Sequence, residues 1–121
     1  MVGRDTPWDG NMVEHGSIIW IDFDPHSGHE QGGRRPALVI SNGTYNRNSS
    51  VKILVPISNT ESDFPPYLPL DQRTKTTGKI LCDHIRTMDI ESRRCEFIEM
   101  LPRDLLQKTV AIINGLMEIE D

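Results

Sequence analysis

The segment from Asp22 to Ser41 contains the side chains of this sequence that are best suited to chemistry. Two apolar runs flank a loop with three glycines, two imidazoles, a carboxylate and two adjacent guanidiniums, contributed by Gly28, Gly32, Gly33, His26, His29, Glu30, Arg34 and Arg35. Loops held between rigid elements are where catalytic residues concentrate. Imidazole and carboxylate groups can exchange protons, and a guanidinium presents a planar fork of donors that matches phosphate oxygens. The loop is therefore predicted to be an active site.

The apolar pattern on both sides of this loop predicts the elements that hold it. Ser17 to Phe23 and Pro36 to Ser41 are β-branched, aromatic and apolar on both faces, which is typical of buried strands. Lys52 to Ile57 alternates and predicts a third strand, while Asn42-Gly43 predicts a turn after the second. Further short strands are predicted at 67–70, 78–82 and 94–100, with one helical turn at 89–93.

The C-terminal part of the chain has a helical pattern. From Pro102 to Met117, apolar residues recur at three- and four-residue spacings, at Leu105, Leu106, Val110, Ile112, Ile113, Leu116 and Met117. Pro102 is predicted at the first helical position, and the helix is predicted to pack on the sheet. Five or six strands and one helix predict an α+β fold built on a small, curved, barrel-like sheet. We expect residues 16–121 to form a single domain and residues 1–15, with Trp8, to form an arm.

Composition limits the possible classes of protein. A length of 121 residues suits one domain, and the net charge of −5 argues against a protein that coats nucleic acid nonspecifically, so any RNA site must be local. No apolar run approaches the roughly 20 residues of a membrane span, and the first 15 residues lack the apolar core of a signal peptide. We therefore expect a cytoplasmic protein with no membrane association. Cys82 and Cys95 are expected to be free thiols.

Several ordered motifs resemble the MazF/PemK (Kid) family of toxin endoribonucleases. They are an apolar strand, Asp-Pro, Gly-His-Glu-Gln, Gly-Gly, Arg-Pro and a second apolar strand within residues 22–41, followed by Tyr45-Asn46, by Val55-Pro56-Ile57-Ser58, and by Cys82-Asp83-His84-Ile85-Arg86-Thr87-Met88-Asp89. The matches extend over nearly all of the chain from Gly16 to Met117.

This resemblance implies a fold and a function. The fold is a strongly curved, SH3-like antiparallel sheet with a C-terminal helix. The function is that of the toxin in a type II toxin–antitoxin system, a sequence-specific and ribosome-independent endoribonuclease that cleaves single-stranded RNA without a metal, by attack of the ribose 2′-hydroxyl. The implied partners are single-stranded RNA, a second copy in a homodimer, and a cognate antitoxin whose disordered acidic tail occupies the RNA groove.

The resemblance also implies catalytic residues. It points to Arg35, which directly precedes the proline, and to Ser58 at the end of the third strand, where relatives more often have threonine. Glu30 is a candidate base or a group that orients Arg35, and His29 is a candidate for proton exchange. Asp83 is the third candidate base, although family members that use this aspartate carry an arginine where Leu81 stands here. The general base stays open among Glu30, His29 and Asp83.

The RNA-binding residues are predicted on the loops around this site. Unstacked bases are recognised through their edges and faces by side chains, and phosphates by cationic groups. The predicted RNA-binding set is Gln31, Gly33, Arg34, Tyr45, Asn46 and Arg86, with Phe64 and Tyr67 also placed to contact bases.

Several alternatives accompany these predictions. Arg35 could pair with Glu30 or Asp22 only to hold the loop, and Asp83 could form a structural ion pair with Arg86. His26, His29 and Glu30 are of types that bind zinc, but their spacing matches no known pattern, so no metal or cofactor is predicted. The rival functions are a toxin of the same fold that poisons DNA gyrase, as the related CcdB group does, and a nonenzymatic module that binds RNA or a peptide.

Overall fold

The computed structural model describes residues 13–24, 28–30 and 32–121. Seven strands, two α-helices and one 3₁₀ turn make up this part of the chain. In chain order they are β1 (Ser17–Asp22), β2 (Arg34–Val39), α1 (Gly43–Asn48), β3 (Lys52–Ser58), β4 (Tyr67–Pro69), β5 (Lys79–Leu81), β6 (Arg86–Met88), the 3₁₀ turn (Glu91–Arg93), β7 (Glu96–Met100) and α2 (Arg103–Leu116).

The seven strands form one antiparallel sheet, in which six strands follow the order β4-β5-β3-β2-β1-β7 and β6 pairs with β3 outside this path. The central strand β3 pairs with β2 along one edge; on its other edge Lys52 to Leu54 pair with β6, and Ile57 and Ser58 pair with β5. Because β4 and β7 end the strand path, the described sheet curls without closing into a barrel. The predicted small, curved antiparallel sheet with a C-terminal helix is confirmed.

Alternating residues of the central strands supply two apolar clusters, one on each face of the sheet. The first cluster contains Ile19, Ile21, Phe23, Ala37, Val39 and Leu54, together with Met88 and Ile90. The second contains Ile18, Leu38, Val55 and Ile57, and on this face Leu101, Leu105 and Leu106 seal the sheet. The helix α2 therefore packs on the sheet as predicted, on the face opposite the first cluster.

The two ends of α2 differ from the prediction. Pro102 is the N-cap of α2, with φ −53° and ψ 139°, and Arg103 is its first residue. The apolar stripe is buried only in the first half of the helix, whereas Leu116 and Met117 are exposed.

Three local predictions about the strands and turns were incomplete. The Asn42-Gly43 turn is the start of α1, because the Asn42 side chain accepts a hydrogen bond from the Tyr45 backbone N–H at 2.9 Å and so caps a helix. Strand β2 begins at Arg34, two residues earlier than predicted. Strand β6 was not predicted, because a three-residue segment gives too short a pattern.

Lys52 and Val13 occupy unexpected positions. Lys52 is fully buried, although it is a lysine, and its ammonium donates to the backbone oxygens of Asn46, at 2.7 Å, and Ser49. Val13 lies in the first cluster, so the packed domain begins before the predicted boundary at residue 16. The rest of the predicted arm, residues 1–12 with Trp8, lies outside the described residues.

Both cysteines are free, as predicted. Burial raises the pKa of the Cys82 thiol to about 11 and that of the Cys95 thiol to about 12, so both stay protonated at neutral pH. In the part of the chain that the structure describes, no helix has the length and apolar character needed to cross a membrane.

Candidate active site

A cavity of about 370 Å³ lies beside the end of β1 and the middle of β3. It is lined by Phe23, His29, Glu30, Pro56, Asp83, His84, Ile85 and Arg86. Four of these residues, His29, Glu30, Asp83 and Arg86, were predicted as site residues. The structure therefore brings together groups that are more than 50 residues apart in the sequence.

The cavity forms where β3 changes its partner strand. Pairing with β6 ends at Leu54 and pairing with β5 begins at Ile57, so the connection from β5 to β6, residues 82–85, passes along the gap. Pro56 lies in this gap, where a residue without a backbone N–H removes no hydrogen bond to β5 or β6. The gap places Asp83 and His84 next to the end of the loop that follows β1.

The base of that loop is closed by hydrogen bonds across its two ends. The Phe23 N–H donates to the Gly33 oxygen at 2.9 Å, and the Gly33 N–H donates to Asp24 Oδ1 at 2.9 Å. Gly33 has φ +75°, a left-handed conformation that favours glycine. Gly33, which was predicted to contact RNA, therefore has a structural role, because its backbone closes the base of the loop.

Two guanidiniums bind the backbone carbonyls at the end of β1. Arg93 Nη1 donates to the backbone oxygens of Asp22, at 3.1 Å, and Asp24, at 3.0 Å, and Arg86 Nη1 donates to the Phe23 oxygen at 3.2 Å. The Arg86 guanidinium carbon also lies 5.7 Å from the centre of the Phe23 ring. Three consecutive carbonyls therefore accept bonds from arginines. The contribution of Arg93 was not predicted, because the sequence offers no local signal for it.

Arg35 and Ser58 are not among the residues that line the cavity. Arg35 Nε donates to the Gly32 oxygen at 2.9 Å, which uses one of the five N–H donors of a guanidinium. Ala37 pairs with Pro56, and the same register continued by two residues places Arg35 opposite Ser58. Alternation then puts both residues on the face of the sheet that carries Pro56.

The adjacent arginine, Arg34, lies on the other face. Its guanidinium donates to Glu96 Oε1 at 2.9 Å and to the Arg94 oxygen at 2.8 Å, and it stands 6.0 Å from the centre of the Trp20 ring. Strand alternation separates the two neighbouring arginines, so the predicted RNA contact of Arg34 does not belong to this cavity.

His84 connects the cavity to β4. Its Nε2 atom lies 3.2 Å from the Tyr67 hydroxyl and 3.7 Å from Asp83 Oδ1. The His84 and Tyr67 rings meet edge to face at 5.9 Å, and Phe64 meets Tyr67 in the same way at 5.3 Å. Desolvation and then the charge of Asp83 raise the pKa of Tyr67, so its hydroxyl stays protonated. Among the described residues, the ionisable side chain recorded close to Asp83 is His84, and the alternative Asp83–Arg86 ion pair is not formed there.

Comparison with known proteins identifies the family. The model for PemK-like, MazF-like toxins of type II toxin–antitoxin systems matches residues 14–116. The chain belongs to this family. It is 31% identical to the endoribonuclease toxin MazF of Escherichia coli K12, over 97% of this chain and 99% of that protein, and 28% identical to the endoribonuclease PemK of E. coli, over 87% and 82%.

Solved structures of the MazF type have the same fold. MazF from Deinococcus radiodurans superposes with a TM-score of 0.83 at 33% identity, over 89% of this chain and 98% of that one. A MazE–MazF structure from the same organism gives a TM-score of 0.78 at 33% identity, over 90% and 98%.

Two predicted RNA-binding residues of this PemK-like, MazF-like chain lie on α1. Asn46 is fully buried, and its amide bonds Val13 and Ser41, so it stabilises the junction between β2 and α1 and does not present its side chain to RNA. Tyr45 is exposed, at the end of β2 away from Arg35. The predicted contact of Gln31 lies outside the described residues.

The described part of this family member offers no cluster of three or more His, Cys, Asp or Glu side chains arranged to hold a metal ion. Of the three residues weighed as zinc ligands, His26 lies outside the described residues, and His29 and Glu30 line the cavity. The cavity combines carboxylates, imidazoles and a guanidinium on an apolar floor of Phe23, Pro56 and Ile85. Such a set can move protons at a bound phosphate ester.

Proposed function

We propose that this PemK-like, MazF-like protein is the toxin of a type II toxin–antitoxin system and acts as an endoribonuclease on specific sequences of single-stranded RNA. The observation that carries the proposal is the cavity beside the Gly-rich loop, which brings Glu30, His29, Asp83 and Arg86 together in a member of this toxin family. The cut is proposed to need neither a ribosome nor a metal.

The reaction consists of an in-line attack at phosphorus. The ribose 2′-oxygen forms a bond to the neighbouring phosphorus while the bond to the 5′-oxygen breaks, which leaves a 2′,3′-cyclic phosphate and a 5′-hydroxyl. One group removes the 2′-hydroxyl proton and another donates a proton to the leaving oxygen. Glu30, His29 and Asp83 are the candidates, and all three reach the cavity.

Arg35 and Ser58 are proposed to stabilise the negative charge that develops on the phosphate. A guanidinium binds phosphate oxygens through parallel hydrogen bonds, and a hydroxyl can add one more donor. The shared face of Arg35, Pro56 and Ser58 supports this assignment. Arg86 lines the same cavity and is proposed to contact RNA.

The same cationic groups would also receive an antitoxin. RNA and an extended acidic peptide both present negative charge, so they are proposed to compete for the groove around Arg35 and Arg86. A local site of this kind agrees with a chain whose net charge is −5.

We also propose a homodimer. Apolar side chains are exposed at the end of α2, with Leu116 at 47%, Met117 at 66% and Ile119 at 92% exposure. Strand β7 ends the sheet and exposes Phe97 and Met100. Exposed apolar groups on a sheet edge and a helix end are suited to contact with a second copy.

The test is cleavage of a long unstructured RNA in the presence of EDTA, with the ends of all fragments mapped. The wild-type protein should cut at one short motif and leave cyclic phosphate ends. Arg35→Ala should lose about 100-fold or more in rate, because it removes the main donor to the transition-state phosphate. The matched control is Arg103→Ala, an exposed arginine on the helix that covers the opposite face.

Equal cutting by Arg35→Ala and Arg103→Ala would contradict the role of Arg35. If the wild-type protein, folded and free of antitoxin, makes no cut, the nuclease proposal is wrong. Inhibition of purified gyrase would then favour the gyrase-poisoning alternative, and retained RNA binding would favour the nonenzymatic module.

A further inference from the structure

One wall of the cavity is an aromatic unit that none of the catalytic assignments uses. It consists of His84, which lines the cavity, Tyr67, whose ring meets the His84 ring edge to face, and Phe64, whose ring meets the Tyr67 ring in the same way. The three rings come from β4, from the segment before β4, and from the connection between β5 and β6. We call this unit the aromatic wall.

The contacts of His84 suit a fixed surface better than a proton carrier. Its Nε2 atom is within 3.2 Å of the Tyr67 hydroxyl, and its backbone N–H donates to the Leu81 oxygen at 3.0 Å. The His84 side chain is only 20% exposed, and it borders the cavity. A ring held in this way stays at a defined position beside the cavity.

Other residues that line the cavity add features that a nucleobase requires. Phe23, Pro56 and Ile85 provide apolar surface, and Asp83 and Arg86 provide an acceptor and donors for the polar edges of a base. The volume of about 370 Å³ is at the low end of small-molecule pockets, which suits one nucleotide rather than a longer segment. Proteins commonly recognise single-stranded RNA by stacking unpaired bases on aromatic side chains, including histidine.

We propose that His84, held in place by Tyr67, is a specificity-determining residue that stacks against one unstacked base next to the cleaved phosphate. This inference rests on the proposed endoribonuclease function. It assigns to the aromatic wall the choice of base at one position of the recognition motif, and it leaves the proton transfers to Glu30, His29 or Asp83.

The cleavage test uses an RNA with a randomised segment, whose cut ends are sequenced for the wild type, His84→Ala, His84→Phe and Tyr67→Phe. His84→Ala should reduce the base preference at one position adjacent to the cut by about tenfold, because the stacking contact between the imidazole and that base is lost. The base preferences at the other positions should stay unchanged. His84→Phe should retain part of the preference, because it keeps a flat ring. Tyr67→Phe should weaken it less than His84→Ala.

The matched control is Thr87→Ala, at an exposed position on β6 that does not line the cavity. It should cut with the wild-type motif. Thermal unfolding of all variants identifies any that fail to fold. An unchanged motif in folded His84→Ala, or a uniform loss of rate at every motif position, would overturn the inference.

Binding separates this inference from the nuclease proposal. Short RNAs carrying 2′-O-methyl groups cannot be cleaved, and sets that differ at one base can be compared by fluorescence anisotropy. If the wild type does not cleave but discriminates among these RNAs, and His84→Ala abolishes the discrimination, the aromatic wall is supported and only the nuclease proposal fails. If the wild type shows no base preference in binding and none in cleavage, the inference is wrong.

Discussion

Lys52 illustrates how a single charged residue can serve the fold instead of the site. Its ammonium replaces the missing helical donors at the end of α1 by binding the carbonyls of Asn46 and Ser49. Together with the Asn46 amide, it fixes α1 against β3 and Val13. The cationic groups available to RNA are accordingly fewer than the composition suggests.

We predict that Lys52→Met lowers the free energy of unfolding by about 1–3 kcal/mol, because buried carbonyls lose a donor while the apolar stem is retained. Urea denaturation measures the change. Lys75→Met, at an exposed position, is the control and should change stability by less than about 0.5 kcal/mol. Equal stability of the two variants would show that the bonds of Lys52 contribute little.

Single residues also show where the sequence was informative about the site. Glu30, His29, Asp83 and Arg86 were predicted because their motifs resemble those of a known family, and the structure gathers them in one cavity. Asn46 lies in an equally recognisable motif, yet it is buried. A match to a family motif does not show whether a side chain faces the solvent or the core, so it does not separate binding residues from structural ones. His84 lies in one of these motifs, but the sequence predicts no role for it, because its contact with Tyr67 depends on the pairing of β4 with β5.

At the level of elements, the loop between β4 and β5 is fastened to two other parts of the fold. Glu99 on β7 accepts hydrogen bonds from the backbone N–H groups of Lys75 and Thr76 and from the Thr76 hydroxyl. Burial alone would raise the pKa of Glu99, but these hydrogen bonds lower it. Arg73 bridges Asp71 and Asp104 at the start of α2, and this pairing lowers the pKa of both carboxylates. The loop is therefore fastened to β7 and to the start of α2.

This restraint makes Gly78 sensitive to substitution. Gly78 has φ +113°, and a Cβ atom there would lie 2.5 Å from the Ser58 oxygen, whereas Gly33, with φ +75°, has no atom within 4 Å of such a Cβ. Both substitutions to alanine strain the backbone by about 1 kcal/mol or more. We predict that the clash with Ser58 makes Gly78→Ala less stable than Gly33→Ala by about 1–3 kcal/mol, which is the usual cost of overpacking. We also predict that Gly78→Ala lowers the cleavage rate, because it moves Ser58.

Chemical denaturation of the two glycine variants checks the predicted stability, and the cleavage rate of Gly78→Ala is compared with that of the wild type. Because Gly33→Ala carries the backbone strain without the clash, the difference between the two variants isolates the contact with Ser58. Similar losses of stability in both would mean that the end of β3 yields to the added methyl group.

Elements with a long, regular pattern were predictable, and short ones defined by their neighbours were not. The strands β1, β2 and β3 and the helix α2 follow from apolar periodicity over six or more residues. Strand β6 has three residues and exists because β3 offers it an edge, and α1 exists because Asn42 caps it and Lys52 closes it. Tertiary contacts decide such segments.

For the whole molecule, we predict that the protein is a dimer in solution and that the double substitution Leu116→Asp with Met117→Asp shifts it toward monomer. Charged groups placed on an apolar contact must be desolvated without a partner, which weakens association. Light scattering after gel filtration at micromolar concentration gives the mass. Gln107→Asp, an exposed polar position on the same helix, should remain dimeric.

A native protein with the mass of one chain would contradict the homodimer. A double variant that dimerises as tightly as Gln107→Asp would instead move the contact to another surface, for which the exposed Phe97 and Met100 on β7 are the next candidates.

The divided pairing of β3 has a further consequence for the way the molecule opens. Arg35 belongs to the ladder of β1, β2 and β3. The strands β4 and β5 precede the connection with Asp83 and His84, and their backbone pairing with β3 is limited to Ile57 and Ser58. Local unfolding follows such boundaries between cooperative units, so the two halves of the site can exchange their amide hydrogens at different rates. A bound RNA or antitoxin tail that spans both halves would protect the β4–β5 unit far more than the central ladder.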